Sequence, residues 1–129
     1  MNVIASDFAS LADLEGYKKA KAKGMSETQA FKFGDNGLGC WGSLTAQEHT
    51  PMCALPPDDM IAKFGTVLKA KNAKVKVTIG KLTIICTLAD RMPWKKNIRN
   101  GCGIDLNPAA LKLLRLETPV KIAAAWRWA

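Results

Sequence analysis

Asp90 is the acidic residue whose sequence position most suits acid–base chemistry. It follows the alternating apolar segment Leu82–Leu88 and lies where that segment gives way to a stretch containing Pro93. A carboxylate at the mouth of an apolar strand is partly removed from water, which raises its pKa and allows it to donate a proton. The alternative is structural, in which Asp90 pairs with Arg91 or caps a turn.

Aromatic and basic side chains surround this candidate acid in the sequence. Trp41 and Trp94 lie in polar, Gly- and Pro-containing loops, where a flat ring is free to stack on a sugar. Cationic side chains near Asp90 could bind the carboxylates of an acidic polymer, or they form only a solvated loop. These cationic residues are Arg91, Lys95, Lys96 and Arg99.

The four cysteines, Cys40, Cys53, Cys86 and Cys102, include no Cys-x-x-Cys pair, and the chain has one histidine, His49. We therefore predict no metal site and no cofactor. An even number of cysteines in a small domain predicts two disulfides, although four buried thiols fit the same count.

Length and charge narrow the class of protein. A chain of 129 residues with 48% apolar residues predicts one folded domain and a single core. No apolar run approaches the ~20 residues that cross a bilayer, and residues 1–7 do not resemble a signal peptide.

The net charge of +8 favours an acidic partner. Nucleic acid is not expected, because the aromatic residues are not interleaved with the basic run.

Residues 1–33 are predicted to form a helical arm that precedes the main domain. Ser6 can cap a first helix that Gly24 ends, and Ser26 begins a capping box for a second helix over residues 27–33. The lysine-rich segment at residues 18–23 is interpreted as a solvated helix face, with phosphate binding as the alternative.

From residue 34 onward the pattern predicts short strands with short inserted helices. Residues 75–79 alternate as a half-buried strand, a tight turn follows at Gly80, and residues 82–88 are apolar on both faces. Pro57 and Pro108 begin short helices, the second of them capped by Asn107. Residues 120–128 alternate as a final strand, so a small β-barrel is expected.

Several segments resemble double-psi β-barrel proteins. Residues 90–93, Asp-Arg-Met-Pro, resemble the Asp-Arg-Gly-Pro motif that ends a strand in this family. Residues 103–114 are similar to its Ile-Asp-Leu-Ser segment and following helix, with Asp105 at an expansin position. Residues 39–42 and 50–56 are similar to the Cys-Gly-Tyr-Gly and Thr-Ala-Ala-Leu segments of expansins. The resemblance implies a six-stranded double-psi barrel over residues 34–129.

The resemblance also implies a protein that acts on polysaccharides. The family includes family-45 glycoside hydrolases, lytic transglycosylases of the rare lipoprotein A type, and non-hydrolytic expansins. The family's acid falls on Asp90, whereas the histidine of the rare lipoprotein A type has no counterpart at Ala54 or Leu55. His49 lies a few residues earlier as a substitute or as a solvated loop residue.

The count of carboxylates favours one reaction. Inverting hydrolysis needs a second carboxylate ~6.5–9.5 Å from the acid, and only Asp35 and Glu48 lie near the expected point of the sequence. One acid suffices for lytic transglycosylation. We therefore expect an extracytoplasmic, monomeric peptidoglycan lytic transglycosylase, with a two-carboxylate hydrolase or a non-catalytic expansin-like module as the alternatives.

Overall fold

Six strands pair edge to edge into a closed barrel in the computed structural model, which describes residues 1–129. The strands are β1 Asn2–Asp7, β2 Met52–Leu55, β3 Lys74–Ile79, β4 Leu82–Arg91, β5 Cys102–Leu106 and β6 Lys121–Trp128. The helices are α1 Leu11–Ala22, α2 Glu27–Ala30, α3 Pro57–Phe64 and α4 Pro108–Leu113, with single 3-10 turns at Leu68–Ala70 and Lys95–Asn97. None of the helices is long and apolar enough to cross a membrane.

The strands follow the order β1-β5-β2-β4-β3-β6 around the barrel. Pairs β1/β5 and β2/β4 are parallel, and the other four pairs are antiparallel. The predicted mainly-β, six-stranded barrel is therefore confirmed. Exchanging β1 with β4, β2 with β5 and β3 with β6 reproduces the same set of pairs, so the two halves of the chain have one topology.

The interior is filled by the alternating residues that the sequence indicated. Val75, Val77 and Ile79 of β3 point inward, and Gly80, at φ +60°, makes the tight turn to β4. Trp126 of β6 is almost fully buried in the same cluster. β4 was predicted to be apolar on both faces, but the outer face of its first half is open to solvent, where Ile85 is 47% exposed.

The predicted helical arm is only partly correct, because residues 2–7 form β1 between β5 and β6. The barrel therefore does not begin at residue 34. Ser6 belongs to this strand, and the cap of α1 is Ser10, whose hydroxyl accepts the backbone N–H of Asp13 at 3.2 Å. The capping box at Ser26 forms as predicted. Ser6 and Ser10 both satisfy the local rule for a helix cap, so only the long-range pairing of β1 shows that Ser10 is the cap.

A close backbone contact holds the two N-terminal helices against the following segment. A Cβ atom on Gly34 would lie 1.8 Å from the carbonyl oxygen of Asp13, and one on Gly16 would lie 2.1 Å from that of Phe33. No side chain fits at such a distance, so glycine is required at both positions.

Asn107 joins three parts of the fold through a side chain with no exposed surface. Its Oδ1 accepts the backbone N–H groups of Met52 and Ala110, at 2.8 and 3.0 Å. Its Nδ2 donates to the carbonyl oxygens of Thr45 and Thr50, at 3.0 and 3.1 Å. The predicted cap of α4 therefore also fixes the start of β2 and the loop that precedes it.

We expect Asn107→Ala to destabilise the fold by about 2–4 kcal/mol, because it leaves buried backbone groups without partners. Asn107→Asp keeps both acceptor contacts but brings carboxylate oxygens against the carbonyls of Thr45 and Thr50, so it should also destabilise. Urea unfolding measures both losses. Ser26→Ala, which removes an exposed cap, is the control and should cost about 1 kcal/mol. An equally small cost for Asn107→Ala would contradict a joining role.

Candidate functional site

A row of paired residues crosses four neighbouring strands of the barrel wall. Ser6 pairs with Asp105, Asp105 pairs with Ala54, and Ala54 pairs with Asp90. Paired residues on adjacent strands point to the same face of a sheet. Ala5, Cys53 and Leu106, which are next to these residues in sequence, belong to the buried core. The row therefore lies on the outer face.

Asp105 is the carboxylate whose environment differs most from water. Its Oδ1 accepts a hydrogen bond from the Ser6 hydroxyl. Burial raises the pKa of Asp105 to about 6, the Ser6 hydrogen bond opposes this, and the negative charges of Asp7, Asp90 and Asp13 add to the increase. A carboxyl with this pKa exchanges a proton readily near neutral pH.

Asp90 has the raised pKa that the sequence predicted, although a loop covers part of it. Burial is the main cause, and the charge of Asp35 adds to it. Backbone N–H groups of Arg91 and Cys40 oppose the shift by donating to Oδ1, at 2.8 and 2.9 Å. The side chain of Arg91 forms no ion pair with Asp90, and its guanidinium lies 5.9 Å from the ring centre of Trp94.

Asp35 lies in the electrostatic neighbourhood of Asp90. Its Oδ1 accepts the Gly37 N–H at 2.6 Å, and its pKa is raised by burial and by the charge of Asp13. We refer to five residues together as the carboxylate cluster: Asp7, Asp13, Asp35, Asp90 and Asp105. No three acidic, histidine or cysteine side chains are grouped closely enough to hold a metal ion.

Two clefts flank this part of the wall. One, of about 390 Å³, is lined by Ser6, Asp7, Asp105 and Arg99, together with residues that follow β4. The other, of about 630 Å³, is mainly apolar and lies between the start of α1, the loop at residues 46–48, and α4. Asp105 therefore opens into a cleft that also carries a cationic side chain.

The predicted substrate-binding residues do not all meet in one place. Trp94 is 39% exposed, whereas Trp41 packs partly against the core. Lys95 is held by an ion pair with Asp59 at 2.8 Å. Lys96 and His49 are exposed, and the loop of His49 is fixed by its backbone N–H donating to Gln47.

The four cysteines are free, which contradicts the two predicted disulfides. Cys40 is exposed in the loop over Asp90, and Cys102 is buried in a small cluster with Ala54 and Met92. Cys53 and Cys86 lie in the main core. The count of cysteines was even, but the fold places them in three different environments.

Sequence reasoning missed Ser6 and Asp7 as site residues and identified Asp105 only by its resemblance to an expansin position. Asp7 lies at the end of β1, where its carboxylate accepts the Val120 N–H at 2.8 Å and the Thr118 hydroxyl. The one available signal was the resemblance of residues 103–114, which carried Asp105. Ser6 and Asp7 were missed because they lie on β1, which was not predicted.

No family model matches the sequence, and no curated protein matches it. Among solved structures, the chain is similar to Streptomyces papain inhibitor, with a TM-score of 0.52 and 16% sequence identity. The match covers 98% of this chain and 92% of that chain. At this identity the likeness shows the fold alone.

We expect Asp105→Asn to become progressively more stabilising as pH rises. The folded pKa of Asp105 lies above the ordinary value of 3.8, so the wild type loses stability as pH passes from about 4 to about 6. Asparagine does not ionise, so the variant does not show this loss of stability. Its advantage in free energy of unfolding should grow by about 3 kcal/mol up to pH 7 and then stay constant. Urea unfolding at a series of pH values measures it.

Glu117→Gln, at an exposed position, is the control for this series. A difference between Asp105→Asn and the wild type that does not change with pH would show that Asp105 is fully solvated.

Cys40 offers a direct test of its contact with Asp90. Cys40 is exposed as a residue, but partial burial of its thiol and the charge of Asp90 raise its pKa to about 11, so iodoacetamide should alkylate it slowly at pH 8. Asp90→Asn removes that charge and should accelerate alkylation, by roughly tenfold for each unit that the pKa falls. Peptide mass spectrometry follows the reaction, with Asp58→Asn as the control. Equal alkylation rates of Cys40 in the wild type and in Asp90→Asn would contradict its contact with Asp90. Separately, fewer than four thiols in unreduced, unfolded protein would contradict the finding that all four cysteines are free.

Proposed function

We propose that the protein cleaves glycosidic bonds in an acidic cell-wall polysaccharide, with Asp105 as the proton donor. The observation that carries the proposal is the position of Asp105 on a cleft wall with a pKa of about 6. Near neutral pH such a group is present in both protonation states, as a general acid that later acts as a base requires.

The chemistry needs one or two carboxylates. In the one-acid scheme, Asp105 protonates the glycosidic oxygen and then accepts the proton of the sugar's 6-hydroxyl as that oxygen attacks. In the two-carboxylate scheme, a second residue activates water. Asp90, the acid expected from the resemblance, lies two strands from Asp105, at roughly 10 Å between Cα atoms. Their carboxyl groups could thus approach the ~6.5–9.5 Å separation of inverting enzymes.

The substrate class follows from charge. Arg99 lies on the wall of the Asp105 cleft, and Arg91 and Lys96 are exposed on the segment that leads to it. These cations suit a polymer that carries carboxylates, and peptidoglycan is the substrate we propose. Such a substrate implies an extracytoplasmic site of action.

The proposal includes a barrel of the double-psi type. The two parallel strand pairs and the equivalence of the two half-chains support it. The Asp-Arg-Met-Pro segment also ends a strand, β4, as it does in that family.

Purified peptidoglycan provides the test, with products read by mass spectrometry. Asp105→Asn should reduce turnover by ~10²–10⁴-fold, because positioned acid catalysis contributes about that much. Asp90→Asn should reduce it equally if Asp90 is the second carboxylate, and only slightly in the one-acid scheme. Asp35→Asn should likewise reduce turnover strongly if Asp35 is the second carboxylate, and only slightly if it is not. Anhydro-sugar ends identify transglycosylation, and reducing ends identify hydrolysis.

Glu117→Gln is the control and should keep full activity. Full activity in Asp105→Asn would refute the role of that residue. Absence of turnover by the wild type on any wall polymer, with binding retained, would favour the expansin-like module.

Inhibition of a papain-like protease is a second candidate. It is favoured by the fold likeness to Streptomyces papain inhibitor, which extends over 98% of the chain. Titration of papain with the purified protein tests it. A stoichiometric loss of papain activity would support inhibition. If the Asp105→Asn variant inhibits papain equally well, inhibition is separate from glycan cleavage.

A further inference from the structure

Two phenylalanines on the N-terminal helical hairpin face solvent. Phe31 is 47% exposed and Phe33 is 58% exposed, with the exposed Lys32 between them. The ring of Tyr17 lies 5.2 Å from that of Phe31 and extends the aromatic surface onto α1. Large exposed aromatic groups that adjoin one another commonly mark an interaction surface.

The part of the chain around these rings is basic. Residues 17–33 contain five lysines and one acidic residue, Glu27, for a net charge of +4. All five lysines are exposed, and none forms a salt bridge. The acidic residues of α1, Asp13 and Glu15, precede this segment. We name as the aromatic–lysine surface Tyr17, Lys18, Lys21, Phe31, Lys32 and Phe33.

The shape of this surface decides between two polyanionic partners. Single-stranded nucleic acid is usually held in a charged groove that follows its backbone. Three clefts of the protein, of about 630, 620 and 390 Å³, contain no residue between 17 and 33. Exposed phenylalanines accompanied by exposed lysines instead suit a bilayer, in which the rings enter the boundary between headgroups and acyl chains.

We propose that the aromatic–lysine surface binds an anionic lipid bilayer. Phe31 and Phe33 insert at the depth of the headgroups, and the lysines contact lipid phosphates. Each lysine near an anionic surface raises the binding constant about fivefold, and each buried aromatic ring adds apolar area. The surface adjoins Asp13 and Asp35 of the carboxylate cluster, because Gly34 packs against the backbone of Asp13 and Tyr17. The proposed binding uses none of the cluster's carboxylates, so it does not depend on the proposed enzymatic activity.

Co-sedimentation with large unilamellar vesicles tests the proposal. The wild type should bind vesicles of equal parts phosphatidylcholine and phosphatidylglycerol, and not vesicles of phosphatidylcholine alone. Lys18→Gln with Lys21→Gln should lower the partition coefficient by about tenfold or more. Phe31→Ser with Phe33→Ser should lower it further, with circular dichroism to confirm that each variant is folded.

A matched control lies in another element, the 3-10 turn Leu68–Ala70 after α3. Leu68 is 68% exposed beside the exposed Lys69, so Leu68→Ser with Lys69→Gln removes the same kinds of group. This variant should bind vesicles as the wild type does.

Four results would overturn the proposal. They are no binding to anionic vesicles, equal binding to neutral vesicles, unchanged binding in the lysine variant, and an equal loss in the control. Tighter binding of a single-stranded oligonucleotide that the lysine substitutions abolish would assign the surface to nucleic acid and would also reject the bilayer. If the phenylalanine variant fails to fold, the lysine variant decides alone.

Discussion

The carboxamide of Asn107 is the interaction on which the site depends. Its four hydrogen bonds connect the start of β2, the first turn of α4 and the loop ahead of β2. The chain between Gly34 and Pro51 contains only one isolated bridge, Leu38 to Leu44, and so has little regular structure to hold it. A fully satisfied buried amide replaces the missing ladder, because leaving any of its partners unpaired in the core would be costly.

That attachment reaches both carboxylates, Asp105 and Asp90, of the row that crosses the barrel wall. Asp105 lies two residues before Asn107 on β5, so the amide that fixes the end of β5 also fixes the height of Asp105 in the wall. The loop that Asn107 anchors brings the N–H of Cys40 to Asp90. The contrast between the two carboxylates arises here, since one is capped by this loop and the other opens into a cleft.

The sequence predicted those parts of the fold that local rules determine. Alternation located β3, the first part of β4 and β6, and caps located α2 and α4 because each signal lies within a few residues. β1 was not predicted, since its pairing with β5 and β6 involves residues about a hundred positions away. Ser6, Asp105 and Asp90 form a row only through the registers of three strand pairs. Asp90 could be recognised from its motif, but its relation to Asp105 could not.

The pairing of β1 with β6 also bears on how the protein folds. Val3 lies opposite Ala124, so the barrel closes only when strands about 120 residues apart in the sequence meet. During synthesis β1 emerges first, while both of its partners emerge last. The strand must therefore wait with unpaired backbone groups and an apolar face, which is a period of exposure to aggregation. Closure over such a sequence separation makes folding slow compared with a helical domain of similar size.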